Sequence, residues 1–284
     1  MSLNYNALMA LRGRDQAVDY GDRDVMLYAL AVGMGRDPLN RDELPYVYEG
    51  NGLRVVPAFA SLLATTSILD DCGWDYSRVL HGEERLVLHR PLPETGELLV
   101  DSRVSGVRDL GTGRGAFIEV ELRGRAREQG TPLFTVLRTI VARGDGGFGG
   151  PGERLRPLHA LPARAPDLTS SLQTRRDQAL LYRLTGDRNP LHADPVLARK
   201  LGLAAPILHG LCTWGIACRA ILRTICEYDQ TLIRSLEGRF SAPVIPGETL
   251  ITEMWQEANI VSFRVRAAER DLVVLNHGRC ELTT

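Results

Sequence analysis

Two stretches of the chain carry the apolar pattern of a helix, and each is followed by strand-like runs. Residues 211–226 are apolar almost all round, which predicts a helix buried inside the protein, with Arg219, Arg223 and Glu227 as its polar stripe. Residues 57–70 predict the matching helix of the first half. The runs that predict antiparallel strands are 83–90, 97–107, 114–123, 133–143, 236–242, 249–257, 260–268 and 271–283. The repeated order of elements indicates internal duplication.

A glycine- and proline-rich stretch at residues 144–151 interrupts this pattern in the middle of the chain. We therefore predict an N-terminal repeat in residues 1–150, and a linker with the C-terminal repeat in residues 151–284. The short segments 91–100 and 243–251 resemble each other, and both open a strand after a turn. One helix wrapped by one curved antiparallel sheet, twice, predicts an α+β fold of the double hot-dog kind.

Composition narrows the class of protein. The chain has 284 residues, 44% hydrophobic and 24% charged, with a formal charge of -1, which is typical of a globular enzyme and disfavours nucleic acid as a partner. No apolar stretch is long enough to span a bilayer and the N-terminus has no leader pattern, so we expect a cytoplasmic protein without a membrane partner. The five cysteines are scattered without CxxC spacing, which predicts neither disulfides nor a metal site.

Candidate chemistry is concentrated in the loop from Tyr182 to Pro195. Asp194 is a plausible N-cap of a short helix that begins at Pro195, which leaves Asp187, Asn189 and His192 on irregular backbone. A carboxylate and an imidazole held close together can grip one water molecule and move protons to and from it. The alternative is structural: the same residues could make turns and a core histidine.

Gly210 lies directly before the buried helix, after Pro206, Ile207, Leu208 and His209. An amide at a helix N-terminus with no side chain to shield it can stabilise a developing oxyanion. A glycine that allows close helix packing is the competing interpretation.

These residues resemble the hydratase 2 (MaoC-like) signature, in which Leu-Thr-Gly-Asp-x-Asn-Pro-Leu-His is followed by Pro-Ile-Leu-His-Gly. Further segments, including 46–49, 56–60, 80–83, 146–150 and 239–244, are similar to the two-repeat hydratase 2 domain of peroxisomal multifunctional enzyme type 2. The resemblance covers nearly the whole chain. It implies a hydro-lyase that adds water to a trans-2-enoyl-CoA and forms a (3R)-3-hydroxyacyl-CoA.

The resemblance also implies roles for individual residues. Asp187 and His192 would be the catalytic pair, Asn189 would position the site, and Gly210 would donate to the oxyanion. Expected substrate contacts are His81, Gly82, Arg188, Pro190, Leu191 and Phe240. The N-terminal repeat would be non-catalytic and would accommodate the acyl chain. A homodimer is expected, with no cofactor, because coenzyme A is part of the substrate.

Where the family often has an Asp-Lys-Gly turn that contacts coenzyme A, this chain has Asp109, Leu110 and Gly111. A phosphate contact would therefore be missing, with Arg108 or Arg114 as substitutes. Two other activities stay open on the residues alone: an acyl-CoA thioesterase on the same fold, and a non-catalytic acyl-CoA-binding module. The acyl group itself is undetermined by the sequence.

Overall fold

A computed structural model describes residues 3–70, 72–74, 78–153 and 156–283, and its main feature is one antiparallel sheet of ten strands. The strands are β1 (Arg12–Tyr20), β2 (Val79–Leu88), β3 (Gly96–Asp109), β4 (Ala116–Ala126), β5 (Pro132–Ala142), β6 (Leu168–Gln173), β7 (Ile233–Phe240), β8 (Thr249–Glu257), β9 (Ile260–Ala267) and β10 (Leu272–Leu282). The helices are α1 (Tyr5–Ala10), α2 (Asp22–Ala31), α3 (Leu44–Val47), α4 (Phe59–Leu63), α5 (Gln178–Tyr182), α6 (Pro195–Lys200) and α7 (Gly210–Thr224).

The order of strands in the sheet separates the two halves of the chain. It runs β1-β3-β4-β5-β2-β7-β10-β9-β8-β6, so each half contributes five neighbouring strands. The halves meet where β2 pairs with β7, in a register that runs from Glu83 opposite Arg239 to Val87 opposite Ser235. The predicted α+β double hot-dog architecture is confirmed. His81 of β2 and Phe240 of β7, two of the predicted substrate contacts, therefore lie close to this junction.

Helix α7 is the buried helix of the second half. Eleven of its 15 residues are buried, and the Trp214 ring packs 3.4 Å from the position that a Cβ on Gly238 of β7 would occupy. The predicted polar stripe on this helix was wrong. Arg219 is 5% exposed and pairs with Glu43 at 2.5 Å, while Glu227 lies beyond the end of the helix. The buried carboxylate of Glu43, which comes from the first half and which no local pattern indicates, binds the Arg219 guanidinium in place of water.

The helix predicted over residues 57–70 is much shorter, because α4 ends at Leu63. Thr66 then uses its hydroxyl to contact the Ser102 hydroxyl at 2.8 Å and to accept from the Ile68 N–H at 3.3 Å. Hydroxyl side chains that bond in this way compete with helical hydrogen bonds and end the helix.

The edge strands β1 and β6 were not predicted, because most of their residues are at least partly exposed and the apolar alternation is weak.

The predicted linker is irregular, as expected, but its beginning is bonded to β3. The Asp109 carboxylate accepts hydrogen bonds from the N–H groups of Gly111, Gly147 and Gly149 at 2.7–2.9 Å. Burial opposes ionisation of Asp109, yet these backbone donors outweigh it and lower its pKa. The turn that departs from the family pattern thus has a structural role in this chain.

Over the part of the chain that the structure describes, no helix is both long enough and apolar enough to cross a bilayer.

Candidate active site

The loop between α5 and α6 is shaped by two consecutive side-chain turns. The Asn189 N–H donates to Oδ1 of Asp187 at 3.1 Å, and the Leu191 N–H donates to Oδ1 of Asn189 at 3.0 Å. Gly186 has a φ of 140°, which other residues adopt rarely, and so allows the chain to enter these turns. Asp194 caps α6 through the Val196 N–H at 2.7 Å, as predicted from the sequence.

His192 is held at the base of this loop through one ring nitrogen, and the other has no hydrogen-bond partner among the residues that the structure describes. Its Nδ1 lies 2.8 Å from the Ile207 carbonyl oxygen, which can only accept, so Nδ1 carries the hydrogen in the neutral ring. The free Nε2 is then a proton acceptor. The side chain is 9% exposed, and burial lowers the pKa of His192 below its ordinary value. The imidazole is therefore ready to act as a base near neutral pH.

Asp187 lies beside this imidazole and is exposed to solvent. Its carboxylate and the histidines His192 and His209 each offer an atom within 4.8 Å of the others. One Asp187 oxygen is engaged by the Asn189 N–H. A water molecule between the remaining oxygen and Nε2 of His192 would have the two polar partners that an ordered water needs.

His209 is a third member of the site, and it contacts both predicted catalytic residues. Its ring stacks on the His192 ring with centroids 3.6 Å apart, and its Nε2–H donates to the Asp187 carbonyl oxygen at 3.1 Å. Tyr182 packs against the ring at 4.8 Å between centroids. Burial, and then the neighbouring His192, lower the pKa of His209, so the stacked ring stays neutral.

This trio is poorly arranged for a metal ion. An ion bound through imidazole nitrogens lies close to the plane of each ring. The two rings are stacked with an interplanar angle of 25°, so their planes do not meet near the free nitrogens. The arrangement favours proton transfer over metal ligation.

Gly210 opens α7 immediately after His209. Its N–H makes no hydrogen bond to any residue within the described ranges, as expected for the first turn of a helix. The 15-residue helix behind it adds a positive end of its dipole at this point. A Cβ at this position would lie 3.2 Å from Cε1 of Phe240, so the phenyl ring packs close to this residue.

The sequence of the chain is similar to those of known proteins. Residues 158–277 match the MaoC like domain and residues 18–144 match the MFE-2 hydratase 2 N-terminal domain. The chain is 38% identical to "Enoyl-CoA hydratase 2, peroxisomal" of Arabidopsis thaliana, over 96% of this chain and 93% of that protein. The chain belongs to the hydratase 2, MaoC-like family.

Two further proteins are similar to this chain along their whole length. The "3-hydroxyacyl-thioester dehydratase Y" of Mycobacterium tuberculosis is 37% identical, with 99% of both chains covered. The crystal structure of a MaoC-like dehydratase from Phytophthora capsici superposes with a TM-score of 0.88 at 29% identity, over 99% of this chain and 98% of that one. The family resemblance predicted from the loop motif is confirmed.

The substrate contacts predicted from the hydratase 2 family form two groups in the structure. His81 and Phe240 meet with ring centroids 4.6 Å apart, and Gly82 follows His81 at the start of β2. Arg188, Pro190 and Leu191 lie on the loop between α5 and α6, where the first two are exposed. Their roles toward substrate stay predictions.

Sequence reasoning missed His209, although its position before Gly210 was visible. The available signal was that a histidine directly precedes Gly210, the glycine predicted as the oxyanion donor. Its stacking on His192 requires the loop and α7 to meet, which is a tertiary contact. Of the remaining histidines, His89 bonds to Thr135 and His159 bonds to Ser262.

Proposed function

We propose that the protein is an R-specific enoyl-CoA hydratase, a hydro-lyase that adds water to trans-2-enoyl-CoA in fatty acid metabolism. The observation that carries the proposal is the grouping of the Asp187 carboxylate, the free Nε2 of His192 and the amide of Gly210 around one end of α7. The names of the family members with which the chain aligns over nearly its whole length support the same reaction.

The catalytic pair acts on one water molecule. Nε2 of neutral His192 takes a proton while the water oxygen bonds to carbon 3 of the enoyl group, with Asp187 holding and orienting the water. The electron pair of the carbon–carbon double bond moves toward the thioester and forms an enolate. Carbon 2 then receives a proton back from the pair, so that one molecule of water has been added.

The Gly210 amide stabilises the enolate oxygen. Negative charge collects on the thioester oxygen in the transition state, and a preorganised N–H at the positive end of a helix lowers the energy of that charge. Phe240 lies next to Gly210 and contacts His81, so these two rings are the side chains that we propose to contact the substrate there. Asn189 keeps Asp187 in place through its backbone N–H.

The two repeats divide the work. We propose that residues 151–284 carry the chemistry, and that residues 1–150 accommodate the acyl chain without catalytic groups of their own. The substrate supplies coenzyme A, so no cofactor is needed. A cytoplasmic homodimer without nucleic-acid or membrane partners remains our proposal, supported for the compartment by five cysteines that are all free thiols.

The test is the consumption of an enoyl-CoA chromophore by purified protein, with chiral analysis of the product. We expect a (3R)-3-hydroxyacyl-CoA, and losses of roughly 10²-fold or more in kcat for Asp187→Asn and for His192→Gln, as for removal of a positioned acid or base. Asp194→Asn is the matched control, because it removes a carboxylate from the same loop but keeps an N-cap.

Two outcomes would contradict the proposal. Release of free coenzyme A thiol from a saturated acyl-CoA, without loss of the enoyl chromophore, would identify a thioesterase. Saturable binding of acyl-CoA without turnover across short, long and branched chains would identify a binding module.

A further inference from the structure

Strand β2, which joins the two halves, carries a bulge next to His81. The register of β2 on β5 shifts between His81 and Glu83. Residues three apart in a regular strand point to opposite faces, and the extra residue of a bulge brings them to the same face. Gly82 makes this possible, because a Cβ there would lie 2.7 Å from Cγ2 of Val141. Nε2 of His81 therefore reaches Oε2 of Glu84 at 2.9 Å.

Glu84 is a fully buried carboxylate whose charge is balanced by Arg138. Two guanidinium nitrogens of Arg138 lie 2.8 and 3.0 Å from the two Glu84 oxygens. Arg138 also donates to the carbonyl oxygens of Ser61 and Ala64 at 2.8 and 3.1 Å, at the end of α4. Burial opposes ionisation of Glu84, but Arg138 and His81 outweigh it and bring its pKa to about 2. An ionised carboxylate only accepts, so Nε2 of His81 carries the hydrogen.

The His81 ring also contacts Phe240, which lies next to Gly210, the predicted oxyanion donor. The ring contacts Phe240 of β7 at 4.6 Å between centroids, and Phe240 in turn lies against the Cα of Gly210. A continuous series of contacts therefore runs from Arg138 and Glu84 in the first half, through His81 and Phe240, to Gly210 in the second.

We propose that Glu84 and Arg138 are positioning residues of the N-terminal half, which hold His81 and Phe240 so that the thioester oxygen meets the Gly210 amide. This inference rests on the proposed hydratase function. Neither side chain contacts the reacting atoms. Loosening the pair would let both rings shift, and a misplacement of about 1 Å at a reacting centre can cost up to about 10²-fold in rate.

The experiment compares Glu84→Gln, His81→Phe and the variant that carries both changes. We expect each single variant to lower kcat about tenfold, with KM changed by less than about threefold, as for a loss of orientation. Because Glu84 acts through His81, the double variant should be no slower than the slower single variant. If the two losses multiply, Glu84 acts independently of His81 and the proposal is overturned.

Glu253→Gln is the matched control. Glu253 is 8% exposed and pairs with Arg264 and Arg266, on β8 and β9 near the β6 edge of the sheet. Its loss should lower the midpoint of thermal unfolding and leave kcat unchanged. A Glu84→Gln variant that behaves in the same way would reduce Glu84 to a structural role and would also overturn the proposal.

Glu84→Gln leaves Arg138 buried without its partner and so risks misfolding. The variant with both Glu84→Gln and Arg138→Gln removes the two charges together and serves as the second route, with the same expected loss of kcat.

Nitrogen-15 spectra of the histidine rings give a readout without turnover. We expect the hydrogen of His81 on Nε2 in the parent protein, and a mixture of both ring nitrogens once Glu84 is neutral. An unchanged tautomer would overturn the inference, whereas a parent protein without hydratase activity would overturn the proposed function instead.

Discussion

The two halves of the sheet are built alike but use their central helices differently. Each half contributes five strands, yet α7 has 15 residues and α4 has five. Helix α7 begins at Gly210, whose N–H has no partner within the described ranges, and Asp187, His192 and His209 lie together at this end of the helix. Helix α4 begins after Ala58, and its end is occupied by Arg138.

This difference indicates how a duplicated fold comes to carry one site. A short helix has a small dipole and little backbone to anchor a loop, so the first half is not suited to stabilise an oxyanion. Instead, His81 of the first half contacts Phe240 of the second half across the β2–β7 junction. If this account is right, changes in the second half affect chemistry first, and changes in the first half affect stability or orientation.

Two glycines of α7, Gly210 and Gly215, are expected to give the largest contrast between a loss of kcat and a loss of stability. Gly210→Ala adds a Cβ 3.2 Å from Phe240, which shifts the ring and disturbs the oxyanion site, so we expect kcat to fall roughly 10- to 100-fold with the fold intact. Gly215→Ala on the same helix would place a Cβ 2.4 Å from Val32 and should cost about 1–3 kcal/mol of stability by overpacking, with kcat unchanged. Kinetics and thermal unfolding of both variants decide between these expectations.

His209→Phe is expected to have the next largest effect. Phenylalanine keeps a flat ring against His192 but loses the donor to the Asp187 carbonyl oxygen, so the loop is less well fixed and kcat should fall about tenfold. His159→Phe is the control, because it removes a similar side-chain hydrogen bond, to Ser262, on the other side of the C-terminal half. If the His209→Phe variant were as active as the parent protein, His209 would have no role in the site.

The pH dependence of kcat/KM should follow His192. Burial lowers its pKa below the ordinary value of 6.5, and the base is active when neutral, that is, above its pKa. Activity should therefore persist at pH 6.5 and decline only at more acid pH. A decline with a midpoint near pH 7, in protein that remains folded, would show that another group controls the reaction.

The smallest effect on activity is expected in the first half, at Asp109. Asp109→Ala removes the acceptor of three backbone N–H groups and should lower stability by about 1–3 kcal/mol, with kcat unchanged. Because the pKa of Asp109 is lowered in the folded protein, its contribution is present at neutral pH and is lost as the pH falls through that pKa. Asp177→Ala, at an exposed carboxylate, is the control in the same unfolding measurement.

Local pattern was sufficient for the parts of the molecule whose causes are local. The cap at Asp194, the start of α6 at Pro195 and the eight interior strands follow from spacing and residue type alone. The motif around Asp187 and His192 was likewise visible, because it is a run of residue types within one short loop, although only the folded loop brings the two side chains together.

The tertiary structure decided which side chains meet across the two halves. The burial of Arg219 against Glu43, the stacking of His209 on His192, and the contact of His81 with Phe240 all join residues that lie far apart or on different elements. The bulge at Gly82 reverses the face that simple alternation assigns to His81 or Glu84. Strand and helix propensities depend on near neighbours in the chain, whereas these contacts depend on how the sheet closes around its helices, and only the folded protein determines that.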